Sequence, residues 1–353
     1  MKNIKHSVKA ILFLFILSVS LTSCKFGQPK LIQENQFVLG TLGQIQGYAS
    51  SQKSGEQAIN LVFQRIDEIE NAMSTTIVES DIYQVNKNAG IQAVEVSEDT
   101  LDVILKGLEY YQLTEKTFNI ALGTLSSLWG INIEEQLESP AVIPEDEAIK
   151  NALEHIDINQ LEIKGREVFI KDPGMSLDLG GIAKGYAADR AAQSLRDQGI
   201  ESGFVNLGGD IYVLGPKPDG SPWKMGIRSP EPNSKDIIAR IALVNKAIIT
   251  SGDYEKYIID GDSQKLYHHI LDPRTGYPAD NELASVSIIS DTAMEGDVFA
   301  TAAFILGLEE GLALIEEYEN IEGIFISKDK TIHTSSGIKD EIELLKDDYK
   351  LIQ

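Results

Sequence analysis

The chain has 353 residues, enough for one large domain or two intimately packed ones with most of their apolar surface buried. A formal charge of −23 argues against nucleic acid as a partner, since phosphate backbones are bound by clustered Lys and Arg. Its single cysteine, Cys24, excludes an internal disulfide and leaves everything after it without a thiol for catalysis or metal ligation.

The chain opens on a short basic segment, Met1-Lys2-Asn3-Ile4-Lys5-His6, and an apolar run from Ile11 to Leu21, the pattern of a signal peptide. That run is about half the ~20 residues a spanning helix needs, and no later stretch reads as a membrane span. Leu21-Thr22-Ser23-Cys24 resembles the bacterial lipobox, in which a leucine and two small residues precede a lipidated cysteine. The reading is a leader over residues 1–23, a lipidated tether over 24–34 and a single domain over 35–353. Stable anchoring generally takes two or more acyl chains, so lipidated Cys24 would hold an exported protein durably on the extracytoplasmic side of a membrane.

Gln36 to Ala49, with Gly40, Gly43 and Gly47, suits a first strand pair. Ala58, Leu61, Val62, Ile66, Ile69 and Met73 recur at helical spacing behind a capping Ser54. A second helix is expected over 97–114, with Leu101, Ile104, Leu105 and Leu108 on one face. A loop marked by Pro140 and Pro144 leads to a helix near 145–154 and two short strands, 156–163 and 167–170, about a Lys164-Gly165 turn. Gly180 to Leu195 reads as a helix entered through glycines. Segments 203–213, 223–228, 238–251 and 266–271 are β-rich, 285–289 is a strand, 292–306 a helix, and 323–326 with 331–334 a closing hairpin. Segregated helices and strands give an α+β fold rather than a doubly wound one.

Four segments carry candidate chemistry. Asp178-Leu179-Gly180-Gly181-Ile182-Ala183-Lys184 sets paired glycines at a helix start beside an acid and a lysine, which suits a phosphate or is merely a tight turn. It is neither a Walker nor a Rossmann sequence. Asn206-Leu207-Gly208-Gly209-Asp210 lets backbone approach a ligand closely, or is a hairpin turn. In His268-His269-Ile270-Leu271-Asp272-Pro273-Arg274-Thr275-Gly276-Tyr277-Pro278 one histidine can act as general base or be structural. Asp297 and Thr301 lie four apart on one helix face, and oxygens so spaced suit Mg²⁺.

Taken in order, these segments resemble the ApbE family of flavin transferases over nearly the whole mature chain. Further matching pieces are Gly40-Thr41, Met73-Ser74, Phe118-Asn119-Ile120, Leu128-Trp129-Gly130, Thr250-Ser251-Gly252-Asp253-Tyr254 and Thr334-Ser335-Ser336-Gly337. The resemblance implies a T-fold-like mixed sheet packed with helices, plus a smaller α/β subdomain. It implies a Mg²⁺-dependent FAD:protein FMN transferase that joins FMN by a phosphoester to Thr or Ser of exported or membrane redox proteins, such as redox-pump subunits, and releases AMP. By position it places Mg²⁺ on Asp297, Thr301 and the Gly181 carbonyl, and catalysis on His269 and Asp297. It places FAD against Thr41, Thr76, Asn119, Ile120, Ala121, Asp178, Lys184 and Leu271. The family commonly has a flavin-stacking aromatic where this chain has Thr76, which keeps FAD hydrolysis to FMN and AMP open as an alternative. A non-catalytic FAD-binding lipoprotein is a further reading, which the Asp297/Thr301 pair opposes.

Overall fold

Leu39 and Gly40 both take positive φ, 51° and 67°, and turn the chain between β1 (Lys30–Val38) and β2 (Thr41–Ala49). Left-handed backbone at both central residues matches the strand twist of a two-residue hairpin. The computed structural model describes residues 29–131, 142–231, 234–261 and 263–352. The leader, Cys24 and Pro140 lie outside them. Lys30 to Glu34, expected in the tether, are the first residues of β1.

The hairpin begins a nine-stranded sheet that continues through β3 (Gly203–Leu207), β4 (Asp210–Leu214), β5 (Ala247–Gly252), β6 (Leu283–Ser290), β7 (Glu322–Ser327), β8 (Thr331–Thr334) and β9 (Lys350–Leu351). Spatial order follows chain order, and neighbours are antiparallel except β8 and β9. A sheet assembled in this way is α+β, as the segregated pattern implied. All eight residues of β6 are buried, because both faces of the sheet are covered. Val286 and Ile288 enter the core under the helices, whereas Ile289 joins a second core under a three-stranded sheet of Trp223–Arg228, Ile237–Leu243 and Glu343–Leu344.

Three helices cover the first face. α1 (Gln52–Met73) buries Ala58, Ile59, Val62, Phe63, Ile66, Ile69 and Met73. Its N-cap is Ser51, and Ser54, expected as the cap, is the reciprocal partner in a capping box. The chain between β2 and β3 supplies α2 (Asp81–Lys87), α3 (Glu98–Leu113), α4 (Gly123–Trp129) and α5 (Asp146–Leu153), with a small antiparallel sheet of Val94–Glu95, Leu161–Lys164 and Glu167–Ile170. Val168 and Ile170 of that sheet belong to the main core, so this portion is built onto it. α4 and α5 form a third cluster with Ile258 and Leu271 around the buried Trp129.

The alanines of α6 (Ala183–Asp197), Ala187, Ala188, Ala191 and Ala192, are buried and let it lie close to its neighbours α1 and α7 (Ala293–Glu316). α7 was expected to end near Leu306. Gly307 (φ 81°, ψ −175°) does interrupt it there, and a further helical stretch follows to Glu316. α7 is long and apolar enough to cross a membrane, against the sequence reading, but it is the core helix packed on β5 and β6.

Candidate active site

The cleft opens where α6, α7, β5 and the His269 segment meet, and it encloses about 180 Å³. Asn119, Asp178, Gly181, Lys184, His269, Leu271, Asp297 and Thr301 line it together. Thr41, Thr76, Ile120 and Ala121 do not line it. Ile120 and Ala121 are wholly buried and act through backbone: the Ile120 carbonyl accepts from Asp178 N–H (2.9 Å), and Ala121 N–H donates to Asn119 Oδ1 (2.9 Å). Asn119 is held in turn by its amide, which donates to the Ile156 carbonyl (3.0 Å). Thr41 sits behind the Gly208 turn, where a Cβ on Gly208 would come within 2.4 Å of its Oγ1. Thr76 is exposed, and its N–H donates to Ser74 Oγ at 3.1 Å.

The first glycine motif lines the cleft, and the second supports it from behind through Asp210. Asp178 Oδ1 accepts from Gly180 N–H (2.8 Å), closing a local turn that delivers Gly181 to the start of α6. Gly208 (φ 70°) and Gly209 (φ 110°) form the β3–β4 turn, and Asp210 leaves it buried and paired with Lys184. Only glycine takes such backbone without strain. Burial alone would discharge the Lys184 ammonium, but Asp210, Asp297 and Glu255 around it hold its pKa above the usual range.

Asp297 is 4% exposed, and burial pushes its carboxyl up to about 6 against the opposing pull of Lys184. Its Oδ2 accepts from Gly185 N–H (3.0 Å), and its Oδ1 takes no hydrogen bond from the described residues. Thr301 Oγ1 lies 3.5 Å from Ser251 Oγ, and a Cβ on Gly181 would stand 3.7 Å from it. Among the described residues no three His, Cys, Asp or Glu side chains form a metal cluster. One carboxylate with the Thr301 and Ser251 hydroxyls is still a hard oxygen donor set. It fits a Mg²⁺ ion that keeps waters and shares substrate phosphates.

The two adjacent histidines take opposite roles. His268 is buried, edge-on to Phe304; its Nε2 donates to the Ala279 carbonyl (2.7 Å) and its Nδ1 accepts from Ile270 N–H (3.2 Å). Burial lowers it to about 4, so it is a neutral structural histidine. His269 lines the cleft. The Lys256 carbonyl lies 3.1 Å from its backbone N and 3.2 Å from Nδ1, and a carbonyl can only accept. Nδ1 therefore carries the proton, and Nε2 keeps the lone pair a general base needs. Burial, with Lys256 and His268 adding to it, lowers His269 to about 3.

Asp272 and Arg274 pair with each other through Oδ2 and a guanidinium nitrogen at 2.8 Å, and Trp129 Nε1 donates to the Gly276 carbonyl (2.8 Å). The polar residues after Leu271 thus brace the loop that presents His269. Ser251 and Glu255 also line the cleft, though sequence reasoning gave neither a role. The only signal for them was their place in or beside the Thr250–Tyr254 piece.

Comparison with known proteins extends the likeness beyond the cleft. The pattern of the ApbE family matches residues 39–325. The FAD:protein FMN transferase of Klebsiella pneumoniae (strain 342) is 36% identical over 298 residues, covering 84% of this chain and 90% of that protein. One from Treponema pallidum (strain Nichols) is 32% identical over 327 residues, 88% of each. Among solved structures, an ApbE protein of Thermotoga maritima matches with a TM-score of 0.80 and 31% identity, covering 88% of this chain and 99% of its own. The flavin transferase ApbE from Vibrio cholerae matches with a TM-score of 0.77 and 29% identity over the same shares. From a match that runs from the β1–β2 turn into β7, together with near-complete superposition on these structures, it follows that the chain belongs to the ApbE family.

Proposed function

We propose that this protein is an FAD:protein FMN transferase, which cleaves the diphosphate of FAD and joins FMN by a phosphoester to a Thr or Ser hydroxyl of an acceptor protein. The observation that carries the reading is His269, held with a free Nε2 in the same cleft as Lys184, Asp297 and Thr301. Lys184 offers its ammonium to the diphosphate, and the Gly180–Gly181 turn brings backbone close to it. His269 Nε2 takes the proton of the acceptor hydroxyl as its oxygen bonds to the FMN phosphorus. The bond from that phosphorus to the bridging oxygen breaks, and AMP leaves. Asp297, Thr301 and the Gly181 carbonyl are the groups that would hold Mg²⁺, whose chemistry there is to neutralise phosphate charge.

Export and a lipid anchor at Cys24 belong to the same proposal, supported by the residues before the cysteine. They confine the acceptors to exported or membrane-bound redox proteins, including redox-pump subunits. Exposed Thr76, where the family commonly has an aromatic, favours a second reading in which water replaces the acceptor and FAD is hydrolysed to FMN and AMP. Thr76→Tyr should then raise FAD occupancy and slow AMP release; unchanged values count against this reading.

The deciding experiment mixes the purified protein with FAD, Mg²⁺ and a flavin-acceptor domain, and follows a covalent fluorescent band and AMP. Both are expected. No AMP with Mg²⁺ present would sink transferase and hydrolase alike.

A further inference from the structure

Every backbone donor in the first turn of α7 has a partner, and two of them come from outside the helix. Thr292 Oγ1 accepts from Glu295 N–H (3.2 Å), and the Thr292 carbonyl accepts from Gly296 N–H (3.2 Å). The other two donors go to Asp189 on α6, with Oδ1 taking Ala293 N–H (2.7 Å) and Oδ2 taking Met294 N–H (3.0 Å). Asp297 of α7 returns the contact by accepting from Gly185 N–H of α6. One turn of α6, residues 185–189, and one turn of α7, residues 293–297, therefore grip each other by a carboxylate apiece. Nothing larger than glycine fits between them: a Cβ on Gly185 would lie 2.4 Å from the Ala293 carbonyl oxygen and 2.6 Å from Met294 Cα.

We propose that Asp189 is a positioning residue for the cleft, one that holds the start of α7 on α6 so that Asp297 and Thr301 stand opposite Gly181 and Lys184. Neither helix carries the donor set alone. Gly181 and Lys184 belong to the entry and first turn of α6, while Asp297 and Thr301 follow one and two turns after Ala293. Asp189 touches none of the groups assigned to substrate or metal and acts through the backbone of α7. Because Mg²⁺ demands near-ideal geometry at short distances, a slip of one helix along the other costs metal affinity before it costs the fold. The inference rests on the function proposed above.

The test uses Mn²⁺ as the probe, with bound ion read by electron paramagnetic resonance in the presence of ADP. Wild type is compared with Asp189→Asn, Asp189→Ala and Asp297→Ala at a temperature where circular dichroism shows each folded. Asp297→Ala should bind no Mn²⁺ at the site. Asp189→Ala should bind about tenfold or more weakly, the range for losing a group that orients a metal ligand, with Asp189→Asn, which keeps one acceptor, in between. For the two Asp189 variants the Mg²⁺ concentration for half-maximal AMP release should rise in the same order, with kcat recovered at saturating Mg²⁺, a split that mere loss of stability does not produce. If Asp189→Ala does not fold, Asp189→Asn decides. Affinities within about twofold of wild type would overturn the inference while leaving the functional reading intact. Absence of Mn²⁺ binding by the wild type would sink both.

Discussion

Gly185→Ala separates helix propensity from helix crossing, because the two predict opposite signs. In an exposed helix interior the exchange stabilises by about 1 kcal/mol. Here the new methyl would stand 2.4 Å from the Ala293 carbonyl oxygen and 2.7 Å from its carbonyl carbon, both backbone atoms of another helix. Ordinary contact begins at 3.4 Å, so α6 and α7 must part by about an ångström at their closest point. Overpacking of this kind costs about 1–3 kcal/mol. The same separation stretches the 3.0 Å bond from Gly185 N–H to Asp297, and a hydrogen bond to a charged group is worth about 1.5–3 kcal/mol. After the propensity gain, the net loss is roughly 1.5–5 kcal/mol. Urea denaturation followed by circular dichroism reads it as a lower midpoint at unchanged slope. A variant as stable as wild type, or more stable, would refute the account of the crossing.

Asp297→Ala should reduce Mg²⁺-dependent AMP release at least about a hundredfold, more than loss of a ligand's supporting group costs; an intact rate would show the metal assignment to be wrong. Because burial holds His269 near 3, it is unprotonated throughout the neutral range, and transfer at saturating Mg²⁺ should stay nearly level from pH 8 to pH 5. An ordinary histidine with a pKa of ~6.5 would lose more than about tenfold over that span, and such a fall, absent in His269→Ala, would contradict the placement. His268 titrates at about 4 in the fold and near 6.5 when unfolded, so its contribution to stability is full above 6.5 and is lost as pH falls toward 4. The stability advantage of wild type over His268→Gln should shrink by about 2 kcal/mol between pH 7 and pH 5, measured by urea denaturation; a constant difference would count against a buried neutral imidazole.

Elements with a strong local period were legible in the sequence. The face of α1 is a run of apolar residues at helical spacing, and the residues it buries agree with that face, although Leu61 is 44% exposed. On α3 the pattern misled: Leu105 is 47% exposed, while Thr100 and Gly107 face inward, the latter close under Ile120. Small residues at a crossing carry no hydrophobic signal, though they mark where backbones meet. Short helices such as α2 and α4 passed unseen because seven residues are too few to display a period. The cleft was legible through its order of motifs. Spacing along the chain could not separate residues that line the cleft from those that support it from behind. Thr41 and Ala121 stand beside cleft residues in sequence or fold, yet one sits behind a turn and the other lies in the core. The reciprocal grip of Asp189 and Asp297 was invisible for the same reason, since its partners are backbone groups more than a hundred residues away.

β1 also sets a length. Its nine residues span about 30 Å at ~3.3 Å each, and the chain enters the body at Lys30 while the Thr41 end abuts the turn that hands Asp210 to Lys184. The strand is clamped along its whole length by β2, so it cannot shorten. With Cys24 lipidated as proposed, the six steps from Cys24 to Lys30 extend to at most ~20 Å. The cleft would then stand at most roughly 50 Å from its lipid. An anchor of that length would set the greatest height above the bilayer at which an acceptor hydroxyl could be labelled.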